Sequence, residues 1–359
     1  RVVAALLLAA AALAAVDLRG LVDVVYNTTS PLERLTPTYV LEIDGCRALV
    51  QVVDSPSKIF RMYKEVYYPR NKTLRPLTSA EVEKLLNALF QALGPSTKAW
   101  VEVVTKHAYG EGYDILRTEV LHIEARDAAQ LAEEVRRAVG VDFYLSHADA
   151  RKAVDNGARE AAYLYKVEWW REDLAVIFYQ IWSPISLVVL TSNLSAAVEA
   201  LERAREAAGE LWNSVEVVLW HGPYLVPDDA IKAIVEAVIR LEKELGDVWK
   251  RRDEWGRVWR FRGIIEFSKY WTGPLYLSIP YPNGTVLDKA TAERLVRRFV
   301  ELSGFCKSPL VVEFWPSTAY EPPPPPIWAD PAVVNAVALI LGVIAAIAVD
   351  IFTYTRRRK

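Results

Sequence analysis

The chain of 359 residues contains only two cysteines, one methionine and four histidines. So few thiol and imidazole groups exclude a cysteine-cluster metal site and a disulfide-dense scaffold. Glycine is also sparse, at 16, and neither G-x-G-x-x-G nor G-x-x-x-x-G-K-[ST] occurs. Without such loops the backbone offers no ready cradle for phosphates, so nucleotide binding has no support. H-E-x-x-H, C-x-x-C and G-x-S-x-G are missing as well. Their absence removes the zinc-hydrolase helix, the redox pair and the nucleophile elbow. No serine or cysteine can be given an aligned base. No catalytic, cofactor-binding or metal-ligating residue is therefore assigned, and no cofactor is implied. An excess of one charge is lacking too: 43 Lys and Arg face 45 Asp and Glu, a formal net charge of −2. That balance removes the electrostatic footprint of a nucleic-acid partner.

What is present is a 52% hydrophobic chain, enough to bury one sizeable core or two smaller ones. Plentiful opposite charges with few thermolabile residues form the pattern of hyperthermophile proteins. The two ends carry the long apolar runs. Arg1, an apolar stretch from Val2 to Val16 and the small-residue site Ala12-Leu13-Ala14 read as a secretory signal over 1–16. That stretch is short of the roughly 20 residues a spanning helix needs. Near the other end, 332–354 is long enough to cross a bilayer at about 1.5 Å per residue. A buried core helix is the alternative, but 336–349 shows no polar face. Arg356, Arg357, Arg358 and Lys359, in the tail 355–359, place that end in the cytoplasm by the positive-inside rule. Between them, 321–331 holds Pro322 to Pro326 and reads as a stiff polyproline stalk. The expectation is a single-pass cell-membrane protein, its N-terminal ectodomain outside and the lipid bilayer its first partner.

Four of the eight asparagines open N-x-[ST]: Asn27, Asn71, Asn193 and Asn283. Such an excess points to an exported, glycosylated surface. Asn71, in the polar stretch PRNKTLRP, is the clearest acceptor. Asn193 fits a helix cap equally well, and Asn283-Gly284 is a favoured turn pair. Outside the cytoplasm Cys46 and Cys306 are expected to bond, which brings the two ends of the ectodomain together.

Hydrophobic periodicity divides the remainder into three parts. In 17–147, strand patterns at CRALVQVV, AWVEVVTKH, ILRTEVLHIE and VDFYLS alternate with helices starting near Ser79 and Asp127. The middle segment, 148–213, carries a helix near 151–161, the hairpin YLYKVEWW…LAVIFYQIW, the strand SLVVLT and a helix from Ser195. In 214–320, the strand SVEVVLWH precedes a helix from Pro227, the hairpin VWRFRGIIEF/LYLSIP, a helix over 289–303 and PLVVEFW. Each outer unit fits a split β-α-β outline of ferredoxin-like type. The expected class is α+β, with tandem units, mainly antiparallel sheets and one C-terminal transmembrane helix.

Among candidate site residues, His107 and His122 flank one hairpin and fall on the order of 20 Å apart along it, too far to share a metal. His107 is expected to face Asp114 across the ladder. The 12 tryptophans are the more distinctive feature. Trp169, Trp170, Trp255, Trp259 and Trp271 lie near arginines, a composition suited to stacking on sugar faces, although core filling competes with that reading. The function expected first is a membrane-anchored surface protein of structural, adhesive or scaffold role, contacting an envelope protein or a glycan. The alternative is an extracellular solute- or glycan-binding receptor with a Trp- and Arg-lined cleft between its units, and an anchored hydrolase ranks third.

Overall fold

A computed structural model describes residues 17–321 except 30–31, 33–34, 57–62, 97, 109–111, 181–184, 253, 255–256, 268–270 and 319. The chain opens with β1 (Val24–Asn27), the hairpin β2 (Tyr39–Ile43) and β3 (Cys46–Val52), and β4 (Lys64–Tyr67). Helix α1 (Ser79–Leu93) leads into the hairpin β5 (Lys98–Lys106) and β6 (Tyr113–Leu121). Then follow α2 (Ala128–Val139), β7 (Phe143–Tyr144), α3 (His147–Asp155), β8 (Ala161–Trp170), β9 (Leu174–Gln180) and β10 (Ile185–Thr191). Helix α4 (Leu194–Ala208) connects to β11 (Val215–His221), and α5 (Asp228–Val248) follows. The last elements are β12 (Arg251–Arg252), β13 (Val258–Phe261), β14 (Glu266–Phe267), β15 (Leu275–Pro282), α6 (Lys289–Ser303), β16 (Leu310–Ser317) and β17 (Tyr320–Glu321).

Local chemistry sets the helix starts. The Thr78 side chain accepts from the Glu81 N–H while the Glu81 carboxylate accepts from the Thr78 N–H, a reciprocal capping box that opens α1. Asp127, Asn193 and Asp288 cap α2, α4 and α6 in the same sense. Behind each cap an apolar stripe recurs at helical spacing, as in Val82, Leu85, Leu86 and Leu89 of α1.

The strands form two large sheets. The nine-stranded one runs β4-β1-β11-β10-β9-β8-β5-β6, with β7 beside β8. Strands β1, β11 and β10 are parallel, and α4 is the crossover that parallel pairing of β10 and β11 requires. One face buries Val25, Val101, Val176, Leu187 and Val217 against α1, α2 and α4. Asp23 ties β1 into place: Arg70 reaches both its carboxylate oxygens, at 2.9 and 2.6 Å, and Val217 N–H donates at 2.8 Å. Burial pushes the Asp23 carboxyl up, yet the bonds from Arg70, Val217 and Lys72 outweigh it and hold the group below its usual range. The five-stranded sheet runs β14-β15-β16-β3-β2 under α5 and α6, with β15, β16 and β3 parallel. A third, three-stranded sheet is β12-β13-β17.

Two expectations are corrected here. The architecture is mixed α/β with large sheets that combine parallel and antiparallel ladders, not tandem ferredoxin-like units with mainly antiparallel sheets. A strand-helix-strand pattern does not say which distant strand a given strand will join. Strand β3 lies early in the chain but pairs parallel with β16, Ala48 opposite Leu310. The Cys46–Cys306 disulfide, with Cα atoms 5.4 Å apart, closes that same junction. The transmembrane part of the fold class and the single-pass membrane localisation are corrected as well. Among the described residues no helix is long and apolar enough to cross a membrane. The longest of them, α5, has 21 residues and carries charges along its whole length. Residues 1–16, the prolines 322–326, the span 332–354 and the tail 355–359 lie outside the described residues.

Candidate ligand-binding cleft

The face of the nine-stranded sheet turned away from α1, α2 and α4 is polar and aromatic where β5 meets β8. A register shift there sets Trp100 opposite Lys166 but Val101 opposite Leu164, leaving Tyr165 as the extra residue. Beyond it, Val167 and Trp169 join the helix-covered core, so alternation turns Lys166, Glu168 and Trp170 to the other face. Glu168 is 1% exposed and well supplied with donors. It accepts from the indole N–H groups of Trp100 at 3.1 Å and Trp170 at 2.8 Å, and it pairs with Lys166. The Lys166 ammonium sits over the rings of Trp100 and Tyr179 at 4.7 and 5.1 Å. Burial first, then the charges of Glu168 and Asp228, push the Tyr179 phenol up to about 12.

The opposing wall comes from the second sheet's side of the molecule. Val226 N–H donates to Trp271 O at 2.6 Å, Gly273 N–H to Tyr224 O at 2.7 Å, and Leu225 bridges Thr272. Gly273 is obligatory in this approach, because a Cβ there would lie 2.2 Å from the Tyr224 ring. Tyr224 is buried, its hydroxyl donating to Pro309 O at 3.0 Å and accepting from Leu275 N–H at 2.8 Å. Burial raises its pKa. Immediately after this segment, α5 starts with Asp228 and Asp229. Trp271 Nε1–H donates to Asp228 Oδ1 at 3.0 Å, and Lys98 Nζ lies 3.4 Å from Asp228 Oδ2, so one carboxylate links the two sides.

Between floor and wall lies a cleft of about 620 Å³. Trp170, Leu225 and Pro227 supply its apolar surface, while Lys98, Arg171, Lys307 and His122 face Glu168, Glu172, Asp228 and Asp229. A ring face beside interleaved donors and acceptors, with charges nearly balanced, suits a polar ligand with many hydroxyl groups and no large net charge.

The five tryptophans singled out from sequence part company here. Trp170 lines the cleft, and Trp271 holds its wall through Asp228. Trp169 fills core: it is 2% exposed, donates to Gly94 O at 3.1 Å and packs edge-on to Phe90 at 5.3 Å. Trp259 belongs to the three-stranded sheet, with the Arg251 guanidinium 5.7 Å from its ring. Trp255 lies outside the described residues. His107 Nδ1 sits 2.8 Å from Asp114 Oδ2 in an exposed cross-strand pair, whereas His122 borders the cleft.

Of the sequon asparagines, Asn71 and Asn283 are exposed, the latter before Gly284 at φ +80°. Asn193 is the α4 cap, its Oδ1 accepting from Ala196 N–H at 3.2 Å. Asn27 is only 6% exposed and its Oδ1 accepts from both the N–H and the hydroxyl of Thr29. Asn27 is thus buried, unlike Asn71 and Asn283. Sequence reasoning missed Trp100, Lys98, Lys166, Glu168 and Asp228. The signal that exposes two of them is the charged pair inside the otherwise apolar strand YLYKVEWW. Comparison with protein-family models, curated proteins and solved structures finds no match to this chain.

Proposed function

We propose that this protein binds a small, hydroxyl-rich solute of saccharide type in the cleft between its two large sheets. The observation that carries the reading is Trp170, which presents its ring to a 620 Å³ cleft while its N–H is held by a buried carboxylate. A ring fixed in that way stacks on a sugar face without losing side-chain freedom on binding. Lys98, Arg171, Glu172 and Asp229 stand around it as partners for hydroxyl groups. The cleft favours this reading over a structural or adhesive role, which calls for a contact surface rather than a concavity. Titration of the protein with a panel of mono- and oligosaccharides, followed by tryptophan fluorescence and calorimetry, tests it. At least one sugar should bind, Trp170→Ala should weaken it at least about tenfold, and Trp259→Ala should leave it unchanged. Equal affinity of wild type and Trp170→Ala, or no binding across the panel, overturns the proposal.

A further inference from the structure

The floor of the cleft is longer than one sugar ring is wide. Lys98 lies opposite Glu168 in the ladder between β5 and β8. One step beyond the Ala99–Leu121 pair of β5 and β6, Lys98 also comes level with His122. Ala99 is buried in the helix-covered core and Leu121 packs against it. Alternation therefore turns Lys98 and His122 to the cleft side, where both line the cavity with Glu168. The three side chains form one row across β6, β5 and β8, on the order of 10 Å long at the usual strand spacing. Trp170 stands two residues past Glu168 on the same face and extends the floor diagonally.

The two ends of this floor differ. At the inner end Leu225, 3% exposed, packs with Ala175, Ile177 and Leu190 of β9 and β10. The Lys307 ammonium donates to the Leu225 carbonyl at 3.3 Å, which fixes that stop from the other side. At the outer end His122 is exposed, one residue past the end of β6, the last strand of the sheet order. A ring seated on Trp170 is thus stopped by Leu225 and has open floor toward His122.

The chemistry along the row suits further hydroxyl groups. Lys98 meets Asp228 at 3.4 Å, and an ammonium carries three donors, so it keeps capacity for a ligand. A neutral imidazole offers one donor and one acceptor, which matches a hydroxyl in either role. Glu168, by contrast, is buried and occupied by Lys166 and two indoles, so it supports the floor. A cleft of about 620 Å³ also falls within the range that encloses ligands of several rings.

We infer that the ligand is an oligosaccharide of at least two linked sugars, one ring stacked on Trp170 and the next lying over Lys98 toward His122. The inference rests on the saccharide reading of this cleft and adds the length and direction of the chain. A second ring joined to the first binds intramolecularly, so its contacts raise affinity without a second loss of translational freedom.

Calorimetric titration of the full chain tests it, with mono-, di- and trisaccharide series built on glucose, mannose, galactose and N-acetylglucosamine. In the series that binds, the disaccharide should bind at least about tenfold tighter than the monosaccharide. His122→Ala should reduce that ratio to below about threefold. His122→Gln, which keeps a donor and an acceptor, should restore most of it. His107→Ala, at the opposite end of the same hairpin and paired with Asp114, should leave the ratio unchanged. Equal affinity for mono- and disaccharide, with Trp170→Ala weakening both, overturns the inference while the saccharide reading stands. So does a His122→Ala variant that keeps the full ratio. No binding in any series overturns the saccharide reading and this inference with it.

Discussion

At the scale of single residues, the cleft depends on a charge that has been taken out of water. Glu168 is supported by Lys166 and by two indole donors, and none of the three is near it in a helical or turn motif. Removing one partner of a buried ion pair costs more than the pair contributes, because the remaining charge stays desolvated. Lys166→Met should therefore lower the unfolding free energy by about 3–5 kcal/mol in urea titrations. Adding Glu168→Gln to that variant removes the stranded charge while keeping an acceptor for the indoles, and should recover part of the loss. If the double variant is no more stable than the single one, the pair is not what holds this floor together. The same reasoning explains why composition alone could not find the site. A balanced net charge says nothing about which lysine and which glutamate are buried side by side.

At the scale of elements, most helices were legible because their signals are local. The starts at Ser79, after Asp127 and near Ser195, and the span 289–303, follow from caps and 3.6-residue periodicity a few positions apart. Asn193 is the informative case, since one side chain carries both a sequon and a cap. Asn193→Ala should destabilise the protein by about 1 kcal/mol, whereas Asn193→Asp, which also abolishes the sequon, should leave stability nearly unchanged. Equal loss in both variants, read from thermal unfolding, would mean that the carboxamide acts otherwise than as a cap. Strands were less well placed. The helix expected over 151–161 is His147–Asp155, and Ala161 instead begins β8. The hairpin expected between VWRFRGIIEF and LYLSIP is divided: Val258–Phe261 joins the three-stranded sheet, and only Glu266–Phe267 pairs with β15. Alternating patterns show that a strand forms, while the neighbour that completes it is chosen elsewhere.

At the scale of the whole molecule, the chain passes between the two large sheets more than once. β1 enters the nine-stranded sheet, β2 and β3 enter the five-stranded one, and β4 returns to the first. Neither sheet is therefore made from one continuous stretch. A fragment covering 214–320 lacks β3, which hydrogen-bonds β16 from Ala48 to Val52, and lacks the Cys46 partner of Cys306. It should stay unfolded by circular dichroism, and adding the 39–52 hairpin should promote its folding. A fragment that folds cooperatively without that hairpin would show the N-terminal insertion to be dispensable. The disulfide reinforces the arrangement, since closing a separation of 260 residues removes chain entropy worth roughly 5 kcal/mol.

By itself the sequence carried most of the helices, several of the strand-forming segments and the expectation that the two cysteines pair. All of these depend on neighbours along the chain or on there being just two residues of a kind. Tertiary structure alone decided that Asn27 lies beside His221, that Ala48 lies beside Leu310, and that Trp170 faces a cleft while Trp169 fills a core. Contacts across a few hundred residues are chosen by the joint packing of every element, and no local pattern carries that information.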